Sequence, residues 1–303
     1  MKILGIGEAM LELSSAQSLS LTPTFQRSYG GDVLNTLLTL QRLGHTTCFF
    51  TRHARDPFGE GLLDLLAREG MHTVPISSDR PTGVYFIRVD ENGEREFLYH
   101  RQGSAASTLS PEDFSEKTLE GFDVLFISGI TQAISRSARA TTFKAARLAQ
   151  QMGLKVVFDP NFRPGLWSSQ GGGAEASKAY REVLPFVDVL LPSFPADLTP
   201  TGQSAASPLE ALEGFQAPLV ALKCSGQGVW IKAEAGIWHV PTVPVKPVDT
   251  TGAGDVWNAA FLHHLWQDGA VSAARFAHRL AGQAVLHRGA LPPRKMFQED
   301  TPC

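Results

Sequence analysis

The sequence predicts an α/β fold with three layers, a mostly parallel central sheet covered by helices on both faces. Three observations predict it. Short runs of about four to six residues recur along the chain and are apolar on both faces, as strands buried between helix layers are. Segments with apolar residues at helical spacing separate them. The alternation of the two is what a series of βα units produces.

Taken in order, the strand-like runs are Ile3–Ile6, Cys48–Phe50, Val124–Ile127, Val156–Phe158, Val189–Leu191 and Leu219–Leu222. The first helical pattern puts Val33, Leu37 and Leu40 on one face, with Asp32 as N-cap and Gly44 as the stop. Ala138, Thr142, Ala145, Ala149 and Met152 repeat the spacing before Gly153. A third stripe, from Ala273 through Phe276, Ala277, Leu280, Ala281 and Ala284 to Val285, lies near the end. The region from Thr82 to Arg101 breaks the pattern. It reads as two extended segments, Gly83–Val89 and Glu94–Tyr99, joined by Asp90-Glu91-Asn92-Gly93, and Asn-Gly is a hairpin signal. We read it as part of a small β lid over a cleft; an antiparallel edge extension of the main sheet has the same local pattern. Residues 168–174 and 199–208 read as loops too short to be domain linkers.

Composition bounds the function classes. The 303 residues carry 27 Lys+Arg against 30 Asp+Glu, so net charge gives no reason to bind nucleic acid or an anionic membrane. Cys48, Cys224 and Cys303 are odd in number and widely spaced, which is no disulfide framework and points to the reducing cytoplasm. No apolar run approaches the ~18–20 residues of a membrane span. The opening Met1–Gly5 reaches Glu8 too soon for a signal peptide.

The chemistry concentrates in Asp249-Thr250-Thr251-Gly252-Ala253-Gly254-Asp255, after which Trp257, Ala260, Phe261 and Leu265 mark a helix. A glycine-rich turn entering a helix leaves backbone N–H groups free to bind an anion, and the helix dipole adds to this. Asp255 in the first turn is placed to take a proton from a hydroxyl while the hole stabilises a transferring phosphoryl group. By itself Asp255 also reads as an ordinary acid at a helix start; the second acid, Asp249, on the same loop favours chemistry. Other nucleotide signatures are missing. There is no GxxxxGK[ST], and the third glycine of a Rossmann fingerprint is replaced by Met10 or Trp257. His263-His264 are adjacent and cannot share a helix face as metal ligands. Three further polar clusters are candidates: Gly30-Gly31-Asp32 with Asn35, Asp159-Pro160-Asn161-Phe162-Arg163 after a strand, and Tyr99-His100-Arg101.

Together, Gly30-Gly31 with Asn35, the hairpin and the Asp-Thr-Thr-Gly-Ala-Gly-Asp segment resemble the ribokinase-like (PfkB) carbohydrate kinases over essentially the whole chain. Within that family the chain is most similar to the branch acting on 2-keto-3-deoxygluconate. The residues behind this are Gly7–Leu13, Gly31–Thr36, Tyr99–Arg101, Ser128–Ile130, Asn161–Trp167 and Arg288–Ala290. The resemblance implies a single ribokinase-like domain over 1–303, with a lid from roughly 9–30 and 76–103. It implies ATP-dependent phosphorylation of 2-keto-3-deoxygluconate at its 6-hydroxyl, with Mg²⁺, and family members often pair through such lids. A fructokinase or other ribokinase-type sugar kinase, or a non-catalytic sugar-acid binding protein, are the alternatives.

The implied roles follow by position. Asp255 is the general base, and Gly252, Ala253, Gly254 and Asp255 form the anion hole. Gly31, Asn35, Tyr85, Tyr99 and Asp249 contact the sugar. Arg101 and Arg163 meet a carboxylate, and a sugar acid gives a reason for two arginines that a neutral hexose does not. Asn161, Lys223, Ser225, Gly226 and Gly228 flank the nucleotide, and Cys224 is expected beside it, open to alkylation and protected by ATP. The sequence departs from the family twice. The Asn-x-x-Glu segment tied to Mg²⁺ is here Ser193–Asp197, with Asp197 as the candidate substitute and the metal ligands otherwise unassigned. The nucleotide-side Lys-Arg-Gly is Lys223-Cys224-Ser225.

Overall fold

The computed structural model describes residues 1–89, 95–198, 200 and 205–297. Its strands are β1 (Lys2–Ile6), β2 (Met10–Ser15), β3 (Gln26–Gly30), β4 (Thr46–Ala54), β5 (His72–Ser78), β6 (Gly83–Val89) and β7 (Arg95–His100). They continue as β8 (Val124–Ser128), β9 (Lys155–Asp159), β10 (Val189–Leu190), β11 (Leu219–Lys223), β12 (Val229–Ala233) and β13 (Gly236–Val240). The six apolar runs fall in β1, β4, β8, β9, β10 and β11. Those strands and β5 form a parallel array in the order β11-β10-β9-β8-β1-β4-β5. The antiparallel pair β12–β13, which the sequence reading missed, extends it beyond β11.

Period-two alternation divides the core into two layers. Ile3, Phe49, Phe126 and Val157 pack on one side with helices Asp32–Arg42 and Ala253–Ala284. Leu4, Phe50, Leu125 and Phe158 pack on the other with helices Arg136–Gln151 and Gly172–Val183. Both faces of each strand are buried, which is why the runs are apolar throughout.

Several local expectations change. Asp32 is the first residue of its helix, not the cap; Gly31 holds that position without a side-chain bond. The carboxylate is instead engaged by Ser128 and Asn161. Residues 168–174 are not all loop: a 3₁₀ turn covers Ser168–Gln170 and a helix starts at Gly172. The two C-terminal apolar patterns belong to Ala253–Ala284, broken at Gly269, whose φ of 78° is left-handed. The expected turn at 90–93, part of the 199–208 loop and Cys303 lie outside the described residues.

The hairpin strands do not extend the main sheet. They belong to a separate four-stranded sheet in the order β3-β2-β6-β7, where β2 and β6 run parallel and the outer pairs antiparallel. Met10, Tyr85 and Ile87 form its small buried cluster. Tyr85 and Tyr99 are cross-strand partners with rings stacked 5.8 Å apart. The small sheet starts only a few residues after β1, so it stands at the C-terminal end of the parallel strands, where open α/β sheets bind ligands.

Candidate active site

A cavity of about 720 Å³ lies between the small sheet and the C-terminal ends of β1, β9 and β11. It gathers nearly every residue singled out from the sequence. From the main body come Gly31, Asn35, Asn161, Arg163, Lys223, Ser225, Gly226, Gly228 and Gly252–Asp255; from the small sheet and its end come Tyr85, Tyr99 and Arg101.

Gly252 enters the long helix at φ 73°, and a Cβ there would lie 2.4 Å from the Ala290 carbonyl, so only glycine fits. No side chain caps this helix. Ala253 N–H makes a long turn bond to Thr250 O at 3.3 Å, and the first helical bond is Val256 N–H to Gly252 O. The first-turn N–H groups thus stand at the cavity wall, an arrangement suited to an anion.

Three carboxylates converge beside this helix start. Asn35 Nδ2 donates to Asp255 Oδ2 at 2.8 Å and fixes the side chain. Burial, followed by repulsion from Asp32, pushes the Asp255 carboxyl well above the ordinary carboxylate range; the Asn35 bond only partly opposes this. Asp32 is raised for the same first reason, against the bond from Ser128. Asp159 accepts from Asn258 Nδ2 at 2.7 Å, while Lys223 Nζ donates to Asn258 Oδ1 at 2.9 Å and stands 3.6 Å from Asp159 Oδ1. That Asp159 oxygen is buried and accepts no hydrogen bond among the described residues. One lysine stands among three acids, an arrangement that suits a bound cation or a proton in transit.

The cavity lining is also basic and aromatic. Arg95, unnoticed in the sequence, lines the cavity with Arg101 and Arg163, and all three cations act on the Tyr99 hydroxyl. Arg101 is nine-tenths buried and ion-paired through Nη2 to Glu8, which also accepts from Ser104 Oγ at 2.6 Å. Gly31 is required by close approach: a Cβ there would sit 2.1 Å from the Glu8 carbonyl oxygen. A third group, Thr242–Val245 with Trp257, His278, Ala281 and Gly282, makes a more apolar end. Trp257 Nε1 donates to His278 Nδ1 at 3.1 Å and His278 Nε2 pairs with Val240 O at 3.1 Å.

Other expectations are corrected. Asp249 does not line this cavity. Its Oδ1 accepts from Thr251 N and Oγ1 at 2.8 and 2.7 Å and its Oδ2 from Gly289 N at 2.9 Å, so it ties the loop to residue 289. It borders a second cavity of about 570 Å³ with Glu12 and Ser28. Asp197 does not reach the cleft either; its two oxygens accept the N–H groups of Phe162 and Ser193, both at 2.7 Å. Burial and repulsion from Asp159 raise its pKa to about 6. Asn161, expected on the nucleotide side, does line the cavity and donates to Asp32 at 3.1 Å. Cys224 is 5% exposed and absent from the cavity wall, and burial pushes its thiol up to about 11, so it is neither open nor activated. Among the residues missed, Asn258 had a usable signal, three positions after Asp255 on one helix face. Glu8 lies in the Gly7–Leu13 segment that carries the family resemblance, but nothing in the chain pointed to its partners, which lie far along it.

Residues 2–295 match the profile of the pfkB family carbohydrate kinases. The chain is 32% identical over 311 residues to a 2-dehydro-3-deoxygluconokinase of Escherichia coli, covering 97% of this chain and 98% of that one. It is 28% identical to a fructokinase of Vibrio alginolyticus, over 94% of this chain and 93% of the relative. The solved structure of a PfkB protein from Polaromonas matches with a TM-score of 0.85 at 26% identity, over 98% of each chain.

Proposed function

The chain belongs to the pfkB family of carbohydrate kinases, and from that premise we propose that it transfers the γ-phosphoryl group of ATP to the 6-hydroxyl of 2-keto-3-deoxygluconate. The observation that carries the substrate class is the set of Arg95, Arg101 and Arg163 in the lining of the cavity that also holds the acid cluster. Three guanidinium groups match a carboxylate and are superfluous for a neutral hexose. The Escherichia coli relative carries the same sugar acid in its name. The fructokinase relative supports the competing reading, a neutral ketose.

In this reading Asp255 is the base. Its raised proton affinity suits it to receive the hydroxyl proton, and the Asn35 bond to Oδ2 leaves Oδ1 for that task. The N–H groups at Gly252–Asp255 stabilise charge developing on the transferred group. Lys223, Ser225, Gly226 and Gly228 lie along the phosphate path, and the Val243–Trp257–Gly282 end holds the base. Among the described residues no three His, Cys, Asp or Glu side chains form a preassembled metal cage. Mg²⁺ carried on phosphates needs only one or two protein carboxylates, and Asp159, with an oxygen that accepts no bond, fits that need. The metal, when bound, neutralises phosphate charge.

Tyr85, Tyr99 and Arg101 make the small sheet a lid that covers the sugar and excludes water. Leu98, 49% exposed on the edge strand β7 and on the side away from the cavity that Phe97 lines, offers a contact for a second copy of the chain. No helix among the described residues is long and apolar enough to cross a membrane, and we place the enzyme in the cytoplasm. A coupled assay with ATP and 2-keto-3-deoxygluconate, its galactonate epimer, fructose or ribose tests the reading. We expect the sugar acids to have the highest kcat/KM; a preference for fructose refutes the substrate.

A further inference from the structure

Four segments of the chain meet at one carboxylate that no step above uses. Glu8, 2% exposed in the link between β1 and β2, lines the cavity. It accepts from Arg101 at the end of β7 and from Ser104 in the following loop. Its carbonyl rests on Gly31, and a Cβ at Gly83 would lie 3.1 Å from its Oε1. A cation as buried as Arg101 is costly without a fixed partner, and Glu8 supplies it. The guanidinium is nevertheless only partly used. Its Nε is buried and has no partner among the described residues, and the group lies 5.7 Å from the centre of the Tyr99 ring.

We propose that Glu8 is the positioning residue of the sugar-acid subsite, holding Arg101 at Nη2 so that its remaining donors meet the substrate carboxylate. The inference rests on the sugar-acid reading above. It follows from geometry: a guanidinium has five N–H donors in a rigid plane, so fixing Nη2 restricts where the others point. Without Glu8 the long side chain regains rotamer freedom that substrate binding must then remove. The same carboxylate has an opposite effect once Arg101 is gone, because it then faces an anionic substrate as a bare negative charge.

The test is a double-mutant cycle of Glu8→Gln and Arg101→Ala, with KM and kcat for the sugar acid, KM for ATP, and a thermal melt of each protein. Glu8→Gln in the wild-type background raises KM for the acid about tenfold, the scale of one charge-assisted hydrogen bond, with kcat and KM for ATP within about twofold. In the Arg101→Ala background the same change lowers KM, a reversal of sign that a merely structural role does not produce. Glu8→Asp, which keeps the charge on a shorter arm, falls between wild type and Glu8→Gln. An equal rise in KM in both backgrounds, no rise in the first, or a joint fall of kcat and melting temperature overturns the proposal. Wild-type preference for fructose is a separate result that overturns the substrate reading; loss of the sign reversal, with the sugar acid as the better substrate, overturns the role of Glu8 alone.

Discussion

Replacing Asp255 by asparagine separates the two consequences of burying this carboxylate. The amide cannot take up the hydroxyl proton, so kcat falls roughly 10²–10⁴-fold, which is about 2.7–5.4 kcal/mol of barrier. Stability moves the other way. Folding raises the pKa of Asp255, so the native state binds this proton more tightly than the unfolded chain does. The contribution of Asp255 to stability is therefore fully present below the ordinary carboxylate pKa and is lost as pH rises through the folded value. Above that folded value the ionised carboxylate is a buried charge beside Asp32. The amide removes that charge and weakens the 2.8 Å bond from Asn35 by about 1 kcal/mol, the difference between a charged and a neutral acceptor. Burial outweighs the Asn35 bond in setting the pKa, so relief of burial wins and the variant melts higher. Its advantage is largest at pH 8 and shrinks as pH falls. Steady-state kinetics with thermal melts from pH 5 to 8 measure both effects. A kcat within tenfold of wild type, or a lower melting temperature at pH 8, refutes the reasoning.

Arg101→Ala raises KM for 2-keto-3-deoxygluconate by roughly 10–150-fold, the value of one to two kilocalorie-scale charged hydrogen bonds, and leaves KM for fructose nearly unchanged; equal losses on both sugars exclude a carboxylate contact. Gly31→Ala drives a methyl into the Glu8 carbonyl and lowers the urea-unfolding free energy by about 1–3 kcal/mol, whereas an unchanged midpoint contradicts the close approach. His45, buried 2.8 Å from His263, has its pKa lowered from 6.5 to about 4 by burial and that neighbour. The unfolded chain thus takes up this proton first, and stability present above pH 6.5 drains away as pH falls toward 4; His45→Gln should flatten the acid limb of a melting-temperature profile. Cys48 and Cys224, both raised to about 11 by burial, remain unalkylated in the native protein and react on unfolding, as peptide mass spectrometry can follow.

Much of the fold was legible because its signals are local. A strand buried on both faces must be apolar throughout, and a helix over a sheet must show its stripe, so β1, β4, β8, β9, β10 and β11 stand out in the chain. The anion-binding turn was legible for the same reason, since glycine at φ 73° beside the Ala290 carbonyl leaves a mark in the residue type. The strands β12 and β13 were missed because one face of β12 is only partly buried, one face of β13 is exposed, and the apolar run is diluted.

Partnerships between distant residues left no such mark. Asp249 and Asp255 belong to one short segment and look alike, yet one ties Thr251 to Gly289 and the other, in the first helical turn, enters the cleft. Glu8 lies in a segment that carries the family resemblance, yet its partner is hidden until the small sheet folds over and brings Arg101, 93 residues away, against it. Spacing along a chain constrains what lies within a helical turn or a hairpin. Which carboxylate is paired, which is left with a free oxygen, and which thiol is sealed from solvent are set by long-range packing and burial, and only the folded molecule decides them.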